Sequence, residues 1–221
     1  MIKKSLAVLT ALTLYSGVAN AELVETDWLE LGDALSVLDT KTGLEWLDFT
    51  QTGAMSINQV ESLLTTQFKG WRLPTENEII DLMRGNITNQ QYNAGGYLSV
   101  GNEAEYQAER QTFYDSFGHL NDIRYSLALY EQENGNVAYA GVNSTTFAYL
   151  GRSSLNTGSS SANYGVFLVS DGGTTLTSIN NPNINTPGFE GNVHDLKSVP
   201  LTGSVTLMGL GLAGLTFRRK K

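Results

Sequence analysis

The part of this 221-residue chain that can form a folded domain is bounded by a short apolar segment at each end. Near the N-terminus, two lysines precede the apolar run Leu6–Val18, which is followed by Asn20 between the small residues Ala19 and Ala21. This order of parts is typical of a secretory signal. We therefore expect residues 1–21 to be removed by signal peptidase and the chain to be exported; a buried N-terminal helix is the alternative.

A second apolar run, Val205–Phe217, is followed by four basic residues at 218–221. Its length corresponds to a helix of about 20 Å, or about 28 Å if the helix starts at Val199, against a hydrocarbon core of roughly 30 Å. Basic residues tend to stay on the cytoplasmic side of a membrane. Residues 199–221 are therefore predicted to halt export as a hydrophobic anchor with the rest of the chain outside; a core helix is the alternative.

The order of parts in this tail is that of a class of sorting signal. Val199, Pro200 and Leu201 precede the Gly- and Leu-rich stretch Met208–Leu215, and basic residues follow. The tail resembles the PEP-CTERM family of Gram-negative bacteria, although Leu201 stands where the common Pro-Glu-Pro motif has glutamate. The resemblance implies cleavage near the proline by an exosortase-type membrane protease. It also implies a protein that is anchored transiently and then reaches the cell surface or the extracellular matrix.

The body between these ends is strongly acidic. Residues 22–200 carry 8 Lys and Arg against 22 Asp and Glu, a net charge of −14. Nucleic acid is excluded as a partner because phosphate contacts need a basic surface. The absence of cysteine excludes disulfides, thiolate catalysis and cysteine-ligated metals. A body of about 180 residues is long enough to fold by its core alone, and we assign 22–198 to a single domain.

The helices are predicted mainly from their caps. Capping boxes begin at Ser56 and at Thr75, and an apolar stripe follows each of them. Gly70 is the expected C-terminal cap of the first helix. A third helix is expected at 102–117, where aromatic residues recur at helical spacing, and the Asn-, Gln- and Gly-rich stretch 85–101 is expected to be a loop.

The strands are predicted from short apolar and β-branched runs between turn residues. The strand candidates are 35–38, 44–48, 137–142, 146–150, 164–169 and 174–176. The first two form an expected hairpin, and the last two form a second one around a turn at 171–173. Residues 178–198 are rich in Asn and Pro and are expected to be a loop or a linker.

Two sequence blocks in the body resemble a family of exported bacterial domains. Asp39–Trp46 reads DTKTGLEW, and Gly70–Ile79 reads GWRLPTENEI. Both blocks and their spacing resemble the C-terminal domain of the Legionella collagen-like adhesin and its exported relatives. The resemblance implies a C-type-lectin-like α+β fold with a hairpin, two to three helices and an antiparallel sheet. The adhesin relative is associated with sulfated polysaccharide, but a body of charge −14 argues against capture of a sulfated polymer.

Three residues in these blocks are candidates for a ligand-binding site. Trp46 and Trp71 could stack on sugar rings, and Arg72 could pair with a carboxylate or a sulfate. In the structural alternative, both indoles pack in the core and Arg72 ties the corner between two helices to a carboxylate or to helix-end carbonyls. Asp171 could supply oxygen ligands to calcium, which is the candidate cofactor. The alternative is that it belongs to a solvated acidic surface.

Pairs of acidic residues raise the alternative of an enzyme. Glu45 with Asp48, or Glu76 with Glu78, could supply the two carboxylates of a secreted glycan-active hydrolase. A Gly-x-Ser-x-Gly motif is absent from the sequence. We expect a non-enzymatic envelope or matrix protein with a binding domain, for which extracellular polysaccharide is the candidate partner. A structural matrix protein without a defined ligand is the third alternative.

Intact-mass analysis of protein recovered from cells tests both terminal boundaries. The exported form is expected to begin at Glu22, because signal peptidase accepts the small residues Ala19 and Ala21. The released form is expected to end near Val199–Leu201. An exported form that keeps Met1 would refute the signal, and a released form that keeps its basic C-terminus would refute tail cleavage.

Overall fold

The computed structural model describes residues 23–88, 91–92, 97–99, 104–120, 124–145 and 147–193. Over these residues the chain is an α+β protein with two sheets, so the predicted fold class is confirmed at that level. The strands are β1 (Leu23–Thr26), β2 (Ser36–Asp39), β3 (Leu44–Leu47), β4 (Gln91–Tyr92), β5 (Tyr97–Ser99), β6 (Tyr125–Glu131), β7 (Val137–Asn143), β8 (Phe147–Leu155), β9 (Gly165–Val166) and β10 (Val169–Ser170). The α-helices are α1 (Ile57–Leu63), α2 (Glu76–Asn86), α3 (Ala104–Ser116) and α4 (Leu176–Asn180), and 3-10 helices lie at Phe49–Thr52 and Pro182–Asn185.

The first sheet has the order β1-β2-β3-β10 and contains the predicted hairpin. β2 and β3 pair antiparallel, with Val37 opposite Trp46. β1, which the sequence analysis did not predict, adds to one edge of this hairpin. β10 comes from the far end of the domain and closes the other edge, with Val169 opposite Trp46.

The second sheet has the order β4-β5-β8-β7-β6-β9. Its long central strands β6, β7 and β8 pair antiparallel, whereas β9 joins β6 in parallel. The sequence analysis missed β6, and it placed the short strands β4 and β5 in a loop. The two predicted strands at 137–142 and 146–150 are confirmed, although β8 runs on to Leu155.

The predicted strand 164–169 is two strands in the structure, β9 in one sheet and β10 in the other. We call residues 165–170 the closing segment, because it joins the two sheets. Its side chains alternate between two apolar clusters: Phe167 and Val169 lie in one, and Val166 and Leu168 in the other. A continuous apolar run is therefore explained by burial on both sides of the chain.

Both capping boxes are present, which confirms the predicted helix starts. Ser56 and Thr75 accept from the backbone N–H three residues on, and the side chains of Gln59 and Glu78 bond back to the cap N–H. The predicted end of the first helix is wrong, because α1 stops at Leu63. Gly70, at φ +93°, instead ends the turns that follow.

α3 confirms the predicted third helix and brings aromatic residues into the core. Phe113 stacks on Phe117 at 4.4 Å between ring centroids, and Phe117 stacks on Phe49 at 4.9 Å. Phe49 also contacts Phe167 of the closing segment edge-on at 4.8 Å. Gly118, at φ +66°, follows the helix as expected. The aromatic core therefore links α3 to both sheets.

The expected second hairpin and the expected linker at 178–198 are corrected. Thr175 caps α4 through its side chain instead of returning as a strand. Ser178 and Ile184 are fully buried, and Val193 packs with Ile184 against Leu38 of β2. Residues 178–193 are therefore part of the domain and not a linker.

Both terminal predictions, the signal at 1–21 and the tail at 199–221, lie outside the described residues. So do the processing candidates Ala19 and Ala21 and the motif at 199–201. Among the described residues, no helix is long and apolar enough to cross a membrane.

Gly141 in β7 provides a test of the sheet packing. At φ +131°, a Cβ on this residue would lie 2.1 Å from the backbone oxygen of Ser126 in β6. Gly141→Ala is expected to lower the free energy of unfolding by about 2 kcal/mol or more, because backbone must move apart. The effect is measured by chemical denaturation.

Gly85 in α2 is the matched control. A Cβ there would approach only the flexible side chain of Lys41, at 3.5 Å. Gly85→Ala should raise the free energy of unfolding by up to about 1 kcal/mol, because alanine favours the helix. Equal effects of the two substitutions would contradict the packing described for Gly141.

Candidate functional site

The two candidate tryptophans are buried, as the structural alternative predicted. Trp46 contacts Phe167 edge-on at 5.9 Å between ring centroids. Trp71 contacts Trp28 edge-on at 6.0 Å, and Trp28 stacks on Phe68 at 6.2 Å. Neither indole presents a face to solvent, so neither can stack on a sugar in this conformation.

Arg72 binds two carboxylates, which confirms its expected role at the helix corner. Its guanidinium donates to Glu78 at 2.6 and 2.9 Å and to Asp171 at 2.8 and 3.2 Å. Hydrogen bonds from Arg72 lower the pKa of Glu78, and those to both carboxylates raise the pKa of Arg72. The ion pair therefore fastens the start of α2 to the end of β10.

The proposed calcium ligand has another partner. Both carboxylate oxygens of Asp171 accept from Arg72, and a guanidinium at this distance opposes a second cation. Within the described ranges, no group of three acidic or histidine side chains is arranged to hold a metal ion. Asp171 is thus engaged in an ion pair in this structure.

The carboxylates considered for hydrolysis are engaged separately. Glu45 is fully buried and accepts from Thr175 and, at 2.9 Å, from Ser178. Asp48 caps the 3-10 helix at Phe49–Thr52 through the N–H of Thr50. Burial raises the pKa of Glu45 and of Asp48, although hydrogen bonds act in the opposite direction. Neither carboxyl faces an open cleft as a catalytic pair requires.

The carboxylates of the second pair, Glu76 and Glu78, also have separate partners. Glu76 accepts from the side chain of Gln132 and from the backbone N–H of Glu133, both at 2.9 Å. Glu78 is held by Arg72 and by its capping box. Glu45, Glu76 and Glu78 thus join separate elements of the fold, and Asp48 caps a local 3-10 helix, so all four carboxylates have structural roles.

The strongest candidate for a binding surface lies on the second sheet, on the face opposite α3. We call it the aromatic strip. It consists of Tyr125, Tyr139, Phe147, Tyr149 and Tyr164. Its ring centroids are spaced by 6.4 Å from Phe147 to Tyr149, 5.9 Å from Tyr149 to Tyr139 and 5.4 Å from Tyr139 to Tyr164. Tyr125 flanks Tyr149 at 6.4 Å.

The arrangement of the aromatic strip follows from strand pairing. Gly141 of β7 lies opposite Leu127 of β6 and Tyr149 of β8. It contributes no side chain, and the rings of Tyr125 and Tyr139 lie on either side of Tyr149. Ala138, Ala140 and Val142 alternate with these positions and lie in the core. β7 therefore turns Ala138, Ala140 and Val142 towards one apolar cluster, and its other face carries Tyr139, which packs against the second cluster, and Gly141, beside which Tyr149 lies.

The aromatic strip is partly exposed and carries four tyrosine hydroxyls. Phe147 is 40% exposed, Tyr125, Tyr139 and Tyr164 are half-buried, and Tyr149 is buried among them. Burial raises the pKa of Tyr139 to about 12 and also raises the pKa of Tyr149. Arg124 lies 5.7 Å from the ring centroid of Tyr125. The surface offers ring faces and neutral hydroxyl groups to a ligand.

The sequence analysis missed the aromatic strip. A signal was available in Phe147-x-Tyr149, where aromatic residues recur at the two-residue period that places side chains on one face of a strand. Tyr125 carried no such signal, because β6 was not predicted. Tyr164 precedes β9 and reaches the strip only through the tertiary fold.

The chain matches no family model, and comparison with curated proteins and with solved structures finds no detectable similarity. The resemblances carried by the tail and by the blocks at 39–46 and 70–79 stay predictions.

Glu45 predicts a pH dependence of stability. Because its pKa is raised in the folded state, the folded protein holds this proton more tightly than the unfolded chain does. Stability should therefore fall as pH rises from the ordinary glutamate pKa through the raised one. Glu45→Gln removes this ionisation, so its unfolding free energy relative to the wild type should increase from about pH 5 to about pH 8.

Denaturant unfolding across this pH range measures the effect. Glu61→Gln, at an exposed position of α1, is the matched control and should follow the wild-type profile. A Glu45→Gln profile parallel to the wild type would show that burial does not perturb this carboxyl.

Proposed function

We propose that this protein is an exported, non-enzymatic envelope or matrix protein that binds an uncharged polysaccharide on its aromatic strip. The main support for this proposal is the aromatic strip. Four tyrosines and Phe147 form a connected row of rings on the outer face of the second sheet. Rings in a row can contact successive sugars of a chain, and the hydroxyls can exchange hydrogen bonds with it.

Charge favours an uncharged ligand over an anionic one. The body has a net charge of −14, and burial raises the pKa of Tyr139 and of Tyr149, which keeps these two hydroxyls neutral near neutral pH. A sulfated or uronic polymer would be repelled by the domain as a whole. Arg124 lies against Tyr125 of the strip, and its single positive charge is small beside the net charge of the body.

The fold that we propose is C-type-lectin-like. Three features support the proposal: the terminal strands β1 and β10 share one sheet, two helices follow the hairpin, and a second sheet comes between. The parallel β9 is a departure from the all-antiparallel second sheet that the resemblance implies.

Export and sorting complete the proposal. The signal at 1–21 would direct the chain out of the cytoplasm, where signal peptidase removes it. The tail at 199–221 would hold the chain in the membrane until an exosortase-type protease acts near Val199–Leu201. The domain would then reach the cell surface or the extracellular matrix with its aromatic strip available.

Glycan-array binding followed by titration calorimetry tests the function. The protein is expected to bind neutral polysaccharides in preference to sulfated or uronic ones. Tyr125→Ala and Phe147→Ala should each weaken binding about tenfold, equivalent to about 1.4 kcal/mol, because each removes an accessible ring. Tyr125→Phe, which keeps the ring, should retain most of the affinity.

The matched control is Leu31→Ala, which removes an exposed apolar side chain outside the strip and should leave glycan affinity unchanged. Binding that requires calcium would contradict the proposed mode, and turnover of an oligosaccharide would identify a hydrolase. An array without any bound glycan would favour a structural matrix role.

A further inference from the structure

The loop between β1 and β2 is a rigid structure built around one carboxylate. Asp33 accepts from the backbone N–H groups of Trp28, Leu29, Glu30 and Leu35 at 2.8 to 3.1 Å. Burial alone would raise the pKa of Asp33, but these four N–H groups outweigh it and hold the pKa below its ordinary value. The carboxylate therefore stays ionised and keeps the loop closed. We call residues 28–34 the Asp33 loop.

This rigid loop presents large apolar side chains to solvent. Leu29 is 62% exposed and Leu31 is 73% exposed, whereas Trp28 is buried and anchors the base of the loop. Helix α4 begins beside it, since Leu176 donates to the carbonyl of Trp28 at 2.9 Å. Ile179 on that helix is 58% exposed.

The concentration of apolar residues here is unusual within the molecule. Among the described residues, the three large apolar side chains that are more than half exposed are Leu29, Leu31 and Ile179, and the next most exposed is Phe147 of the aromatic strip. A loop held in one conformation while it exposes two leucines is typical of an interaction surface.

We propose that the Asp33 loop rests on the surface of the lipid bilayer in which the C-terminal tail is anchored. The inference rests on the membrane anchoring put forward under the proposed function. It assigns this surface a lipid partner, separate from the polysaccharide assigned to the aromatic strip.

Chain length places the loop within reach of the membrane. Val193, the last described residue, packs on Leu38 of β2, and Leu38 pairs with Val24 of β1. The Asp33 loop begins shortly after that strand. Only residues 194–204 separate Val193 from the apolar run, and even fully extended they span about 40 Å. The segment that leads to the anchor thus leaves from the sheet that carries the Asp33 loop. This gives the loop a high effective concentration at the bilayer.

Charge specifies the kind of bilayer surface. The stretch 23–40 contains five acidic residues and neither lysine nor arginine. An anionic surface would repel this stretch, whereas a zwitterionic one would not. The apolar side chains of Leu29 and Leu31 can enter the interfacial region of such a bilayer, where burial of apolar area favours binding. Phosphatidylcholine vesicles are therefore the appropriate probe.

The absence of native cysteine allows single positions to be labelled cleanly. Leu31→Cys, Asn134→Cys and Ala213→Cys are each made in the exported chain with its tail intact and labelled with an environment-sensitive fluorophore. Position 31 reports on the loop. Asn134 is an exposed control in the turn between β6 and β7. Position 213 reports on insertion of the tail.

With phosphatidylcholine vesicles, the labels at 31 and 213 are expected to brighten about twofold or more and to shift to the blue, because both enter an apolar environment. The label at 134 should stay unchanged. Adding Leu29→Glu to the Leu31→Cys chain should reduce the response at 31, whereas adding it to the Ala213→Cys chain should leave the response at 213 unchanged.

Three other outcomes overturn the inference. A response at 213 without one at 31 shows an anchored tail and a loop in solvent, so the loop proposal fails while anchoring stands. No response at 213 removes the anchor and refutes both. A response at 31 that appears without vesicles and grows with protein concentration identifies a second copy of the chain as the partner.

Discussion

The fold depends on the closing segment, residues 165–170, which is hydrogen-bonded to both sheets, to the 3-10 helix at Phe49–Thr52 and to the corner before α2. Val166 exchanges two hydrogen bonds with the side chain of Thr52, and Phe167 donates to the carbonyl of Leu129 in β6. Leu168 accepts from Leu47 of the hairpin, and Val169 exchanges two backbone bonds with Arg72 at the helix corner. Because its side chains alternate between two apolar clusters, neither cluster is complete without it. The two sheets are thus one cooperative unit.

Polar side chains also connect elements that are far apart in the sequence. Arg72 joins the start of α2 to the end of β10, Glu45 joins the hairpin to α4, and Glu76 joins α2 to the turn between β6 and β7. The carboxylates that look like catalytic pairs in the sequence are therefore engaged in structural hydrogen bonds and ion pairs. What is left for recognition is apolar and aromatic: the strip on the second sheet and the leucines of the Asp33 loop. The proposed polysaccharide binding accordingly relies on ring contacts more than on charge.

The sequence predicted those features that are encoded locally. Helix starts were correct because a capping box involves residues only three positions apart, as at Ser56 and Thr75. The hairpin at 35–48 was correct for the same reason. Features that need a distant partner were missed: Thr175 looks like a strand residue, yet it caps a helix and binds Glu45, 130 positions away. The division of 164–169 into β9 and β10 has no local signal, because it depends on the strand with which each half pairs.

The candidate site was harder to predict than the fold. Trp46 and Trp71 are residue types found both in cores and in sugar-binding surfaces, and only their neighbours decide between the two. The aromatic strip requires the register of three strands to be known, including β6, before Tyr125 and Tyr149 can be placed on one face. Arg72 was assigned correctly because its position at a helix corner already limited its partners.

The hydrogen bond between Thr52 and Val166 spans 114 positions, and the ion pair between Arg72 and Asp171 spans 99. A chain that is exported with its N-terminus first delivers the hairpin and α2 long before their partners emerge. These early elements must wait, with their apolar faces uncovered, until residues 165–178 have crossed. Such non-local contacts make folding slow. On the proposed export route, the domain would close only after residues 165–178 had passed, shortly before the apolar tail reached the membrane, and the order of the sequence would thereby couple folding to arrest.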